Sequence, residues 1–333
     1  ASLFYGNGNI IINGQVTGFE VFGDRFIKSG NLIGTTLWLT NDDNNFLQSI
    51  RIDSGFVRAS SVGALGLNTG LQAVDSNGGY LELRTDLTDF SSKDFRKRGN
   101  GGGIVVDHAL GSTLVGQNIT FGDILLDANA SFTLLGRDGY GLTLTGSANG
   151  GTAIDWVNGG TGAFTNSSSG LLTIDSDILR RSEGTARNFT VTGSGDTLMT
   201  GNFLQLGAGA VSLVKDGIGT FTLQGTASTA TGTTTVNNGT LEIGSFNALP
   251  SGQLRLGNAT TSGGALSYVG AGETSGKAIL LNTTTASNYI NSDGTGALVL
   301  NGAITAVTGN KTLFIGGSNT DDNEIASALL SAG

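Results

Sequence analysis

The chain has 333 residues, with 56 glycines, one proline and no cysteine. That length suits one large domain or two ordinary ones, and the missing cysteine excludes a disulfide framework and a thiolate metal site. A net charge of −9 and a pI near 4.5 provide no basic field for phosphates, so nucleic acid is excluded as a partner.

Glycine at this level can mean disorder, but an apolar fraction of 38% and a mean hydropathy of +0.08 point to a packed chain. No apolar run approaches the roughly 18 residues needed to span a bilayer. The opening ASLFYGNGN lacks the basic region and apolar core of a signal peptide. The chain therefore reads as a mature product or an excised segment of something longer.

From the N-terminus onward, very short apolar stretches recur: 10–12 (III), 104–106 (IVV), 124–126 (ILL), 132–135 (FTLL), 142–144 (LTL), 278–281 (AILL), 297–300 (ALVL) and 311–315 (KTLFI). Turn signals of the NG, DG, GG and SG kinds surround them. No helical stripe of useful length is present; the final ALLSAG is expected to form at most a brief helical turn. The stretch from Leu37 to Gly66 aligns without gaps on Phe221 to Pro250, an offset of 184 positions. Ile52 meets Val236, Val57 meets Leu241 and Ala59 meets Ile243, so the apolar pattern repeats better than the letters do. Two related units are expected, about 1–190 and an incomplete 191–333, in one continuous solenoid.

The clearest stretch runs from Leu213 to Gly257. Phe221 and Leu223 flank Thr222, Leu241 and Ile243 flank Glu242, and Leu254 and Leu256 flank Arg255, which is the period-2 alternation of half-buried strands. Strands of three or four residues are not stable alone and must stack on others of their kind. The predicted fold is all-β: a parallel, right-handed β-helix (β-solenoid) with roughly 20–25 residues per turn.

The same stretch resembles the passenger-associated β-strand repeat of autotransporter-type bacterial surface proteins. The resemblance is carried by Leu213, Lys215, Gly217, Gly219, Thr220, Leu223, Gly225, Gly232, Thr234, Val236, Gly239, Thr240 and Leu241, with Ala230 where an aromatic is usual. It implies a β-helix exposed outside a bacterial cell and implies no catalytic activity.

Several residues invite a chemical reading. His108 is the sole histidine and adjoins Asp107; on one strand the two would face opposite ways, so a structural or surface histidine is expected. Asp175 with Asp177, Asp42 with Asp43, and Asp321 with Asp322 and Glu324 are carboxylate groupings of the kind glycosidases use, but no aromatic-rich platform accompanies them. The loops 41–45 and 320–324 offer hard oxygen ligands, which makes calcium a possible ion; Asx turns are the favoured alternative. The run Phe90–Gly99, with Lys93, Arg96, Lys97 and Arg98, is expected to protrude as a solvated loop, able to meet an acidic surface or an anionic glycan. Trp38 and Trp156 are read as packing or coil-rim residues rather than binding platforms. No catalytic, cofactor-binding or metal residue is assigned.

The expected function is that of an extracellular structural protein on the bacterial surface, a passenger segment or a fibre subunit stacking head to tail. The alternative is a β-helical carbohydrate-active enzyme or a glycan-binding adhesin. Expected partners are further copies of the chain and, as a second class, glycans or cell surfaces.

Overall fold

The computed structural model describes residues 2–5, 8–18, 26–30, 34–68, 73–146, 153–156, 160–181, 184–258 and 262–330. Among these residues the strand pairings are parallel, and helix is confined to two 3₁₀ turns, Gly63–Leu65 and Phe246–Ala248. Among the described residues no helix is long and apolar enough to cross a membrane. The chain divides into two compact units, Ala1–Ser176 and Asp177–Gly333, each of them a parallel β-solenoid.

In the first unit one sheet stacks Ser2–Tyr5, Phe26–Ser29, Ile50–Ile52, Val74–Ser76, Phe95–Lys97, Ile124–Leu126 and Ala153–Trp156. A second stacks Ile10–Ile12, Thr36–Leu39, Phe56–Ala59, Tyr80–Arg84, Gly103–Asp107, Ser131–Gly136 and Gly162–Asn166. The third begins later, with Asp89–Phe90, Asn118–Phe121, Gly141–Leu144 and Leu172–Ile174. Each strand pairs with its counterpart one lap further along the chain. In the second unit the longest sheets run from Arg187–Gly193 to Leu329–Leu330 and from Thr197–Met199 to Thr312–Gly316, and a small sheet is added by Ala271–Ser275, Gly296–Leu300 and Glu324–Ile325.

The alternation read from the sequence is what makes such short strands viable. Ile50–Ile52 and Leu254–Leu256 each bury their first and third residues and leave the middle one half-exposed. Inward residues meet their equivalents on the next lap: Phe221 pairs with Leu241, and Leu241 with Leu266, all fully buried. Each such side chain contributes roughly 1.5–3 kcal/mol of burial. The core is a column of apolar rungs, because no strand is long enough to build a layer alone.

Laps differ in length. Thr222 and its hydrogen-bond partner Glu242 are 20 residues apart, whereas Asn129 and Thr161 are 32 apart. The excess over the expected turn length lies in the connections. The order of strand, strand, strand and 3₁₀ turn found at Thr36–Leu39, Ile50–Ile52, Phe56–Ala59 and Gly63–Leu65 recurs at Thr220–Leu223, Thr234–Val236, Thr240–Ile243 and Phe246–Ala248.

Two expectations are corrected. The run from Phe90 to Gly99 does not protrude. Asp89–Phe90 and Phe95–Lys97 are rungs of the ladder, with Phe90, Lys93, Phe95 and Lys97 buried. Here the period-2 alternation holds through a charged sequence, because the inward lysines find carbonyl partners. Leu329–Leu330 is a strand pairing with Ile304 and Thr305, where a helical turn was expected; the last three residues lie outside the described ones.

Candidate functional site

The chain has six lysines, and each donates to backbone carbonyls at a corner of the solenoid. Lys215 ends the strand Val211–Lys215 and folds its ammonium into the turn that follows, 2.7 Å from the oxygen of Asp216, 2.8 Å from that of Gly217 and 3.3 Å from that of Asn238. Lys97 does the same at the end of Phe95–Lys97, donating to Arg98 at 2.7 Å and Gly99 at 3.2 Å. Lys28 reaches Thr35 Oγ1 at 3.0 Å. Lys93 donates to Gly66 and Asn68, Lys277 to Pro250 and Gly252, and Lys311 to Val307 and Gly309. A tight corner turns carbonyls toward one point, and an ammonium with three donors satisfies them where water has no room.

Burial has an electrostatic consequence. It pulls the ammonium groups of Lys97 and Lys215 down to about 8, against the upward pull of Asp75 and Asp127 on the first and of Asp216 and Asp196 on the second. Glycine is required beside the ammonium. Gly239 has φ +66°, and a Cβ there would lie 2.9 Å from Lys215 Nζ and 2.5 Å from the Gly217 oxygen. This is the physical content of the Lys, Gly and Asn-Gly spacing in the 213–241 stretch.

The arginines of the charged run serve the ladder from outside. Arg96 holds Asp127 bidentately, with Nε to Oδ2 at 3.1 Å and Nη2 to Oδ1 at 3.1 Å, and Arg98 Nε meets Asp75 Oδ1 at 2.6 Å. Each pair joins neighbouring laps.

His108 sits differently from its expected place. The strand Gly103–Asp107 ends just before it, so the backbone turns and the two side chains converge. His108 Nε2 lies 3.2 Å from Asp138 Oδ2 and 3.7 Å from Asp107 Oδ1, while Nδ1 is 2.8 Å from the carbonyl oxygen of Ala109. That carbonyl, then Asp107 and Asp138, raises the imidazole pKa against a partial opposing effect of burial. Asp107 is buried, and its other oxygen lies 3.7 Å from Arg84 Nε and 3.9 Å from Arg137 Nε.

Of the other carboxylate groupings, Asp177 is tied to a neighbouring lap. Asp177 Oδ1 accepts from the backbone and the side chain of Asn202, at 2.6 and 3.1 Å, and Asp175 is exposed. In the loop 41–45, Asn41 Oδ1 accepts from Asp43 N at 2.8 Å and Asn44 Oδ1 from Val16 N at 2.7 Å. In 320–324, Asn323 Oδ1 accepts from Leu298 N at 2.9 Å. These are Asx-type turns and lap-to-lap ties.

Trp156 is buried, as a packing residue should be. Trp38 lies on an outward strand face under the Arg58 guanidinium, 5.3 Å from its ring centre, and Arg58 is clamped by Glu82 at 2.7 and 3.1 Å. On the same sheet Phe56 stacks on Tyr80 at 5.6 Å. In the second unit Tyr289 and Phe314 stack at 5.0 Å, 40% and 49% exposed. Sequence reasoning missed these aromatic pairs, because their members are distant in the chain and meet only through lap-to-lap register.

A parallel β-solenoid with lysine-clamped corners and outward aromatic pairs is thus the class defined by this geometry. Residues 213–243 match the passenger-associated-transport-repeat. Over 303 residues the chain is 31% identical to the adhesin BmaC autotransporter of Brucella suis biovar 1 (strain 1330), covering 86% of this chain and 8% of that protein. No solved structure matches the chain. The chain thus carries one passenger-associated-transport-repeat and is similar, along most of its length, to a short part of an autotransporter adhesin.

Proposed function

We propose that the chain is a non-catalytic stretch of a surface adhesin, and that its outward strand faces bind glycans on other cells. The supporting observation is the 31% identity to an autotransporter adhesin along 86% of the chain. The mechanism is mechanical first: backbone ladders and lysine corners hold each unit in shape, and the outward residues are free to meet a partner. Exposed aromatic pairs such as Tyr289–Phe314 suit the apolar faces of sugar rings. The test is adhesion of the purified, fluorescently labelled chain to epithelial monolayers before and after glycosidase treatment. Binding that falls on deglycosylation supports the reading. Binding no greater than that of an unrelated β-solenoid overturns it.

Head-to-tail association of copies is the structural half of the proposal. Light scattering across a dilution series tests it, and a monomer at all concentrations removes it.

A further inference from the structure

We infer that the corner formed by Asp107, His108 and Asp138 is a site for a divalent first-row transition metal, which staples two successive laps of the first unit. The three ligand atoms lie within 4.8 Å of one another. A tetrahedral zinc or cobalt ion bonded at ~2.0–2.2 Å keeps its ligands about 3.4 Å apart, and the distances from His108 Nε2, 3.2 Å to Asp138 and 3.7 Å to Asp107, bracket that value. The imidazole is oriented as metal-bound histidines are: Nδ1 faces the Ala109 carbonyl at 2.8 Å, so donating its proton there leaves the Nε2 lone pair directed at the two carboxylates. Imidazole with carboxylates selects borderline ions such as Zn²⁺ or Co²⁺ over Ca²⁺.

A second observation concerns a residue outside the trio. Tyr140 is fully buried, its hydroxyl has no hydrogen-bond partner, and the carboxylates of Asp86, Asp107 and Asp138 all act on it electrostatically. A buried phenol without a partner is costly, and a metal-bound water in the open coordination position supplies one. Arg84 and Arg137 stand 3.7 and 3.9 Å from Asp107 Oδ2, too far to hydrogen-bond, and Oδ1, which accepts from the His108 backbone N–H at 2.9 Å, keeps a second lone pair for the metal. Asp107 closes the strand Gly103–Asp107, and Asp138 follows Ser131–Gly136, the rung paired with it, so the ion links neighbouring laps. This inference does not depend on the adhesive role.

The chain suits the experiment, because one histidine gives one set of imidazole resonances and the lack of cysteine removes competing thiolates. The metal-free chain is titrated with Co²⁺ and, separately, Zn²⁺, and followed by NMR, calorimetry and thermal melting. The expected result is 1:1 binding, a large paramagnetic shift of the imidazole signals with Co²⁺, and a higher melting temperature that EDTA reverses. His108→Ala and Asp138→Asn should each weaken binding at least tenfold; Asp138 is about half exposed, so its variant keeps the fold. Tyr140→Phe should weaken binding less. Unshifted imidazole signals, or equal binding by His108→Ala, would overturn the assignment.

Discussion

Lys215 donates at 3.3 Å to the carbonyl oxygen of Asn238, which lies 23 residues away on the following lap. The same ammonium closes its own corner through Asp216 and Gly217. One side chain thus ties two rungs together.

Replacing that lysine should show it. Lys215→Met keeps the stem and removes the charge, leaving three carbonyls without their donor. A loss of about 2–4 kcal/mol is expected from hydrogen bonds to a charged group in a buried setting. Urea unfolding monitored by circular dichroism measures it; a loss under about 0.5 kcal/mol would show that water fills the corner.

The buried lysines also set a pH dependence. Lys97 and Lys215 have folded pKa values of about 8, below the ordinary 10.5 of an unfolded lysine. Between those values the unfolded chain binds more protons, so stability rises with pH there, by at most about 1.4 kcal/mol per pH unit per lysine. Below pH 8 both states are protonated and this slope vanishes. Melting at pH 7.5 and pH 9.5 should show the wild type gaining relative to a Lys97→Met, Lys215→Met variant; a constant gap between the two proteins would refute the assignment.

Glycine at the corner has its own test. Gly239→Ala places a Cβ 2.5 Å from the Gly217 oxygen at a φ of +66°, and should cost about 2 kcal/mol or more. Gly244→Ala meets nothing within 4 Å and should be close to neutral. Equal melting temperatures for the two variants would remove the steric argument.

In the apolar column, Leu241→Ala opens a gap between Phe221 and Leu266 and should cost ~2–5 kcal/mol. Thr222→Ala, on the outward face of the same sheet, should cost well under 1 kcal/mol. Thermal melts of both give the comparison.

Much of this was legible in the letters. Leu-x-Leu and Leu-x-Ile pairs between glycine turns require half-buried strands, and strands so short require stacking. Lys93 to Arg98 was misread because charge concealed its alternation: Phe95 and Lys97 point in, Arg96 points out, and the inward charge is tolerated through carbonyls that no linear pattern displays. That His108 lies just beyond the end of its strand could not be seen in the letters. Whether Asp107 is the last rung residue decides if the two side chains diverge or converge, and that depends on the neighbouring lap.

Unequal laps have a consequence for how such a chain can change. Rungs keep their alignment whether 20 or 32 residues separate bonded partners, so growth or loss within a connection leaves the flanking tiers undisturbed. Losing one residue inside a strand would instead turn its inward side chains to solvent. Insertions and deletions are therefore best tolerated in the excursions between tiers, and the same places should accept epitope tags or foreign peptides.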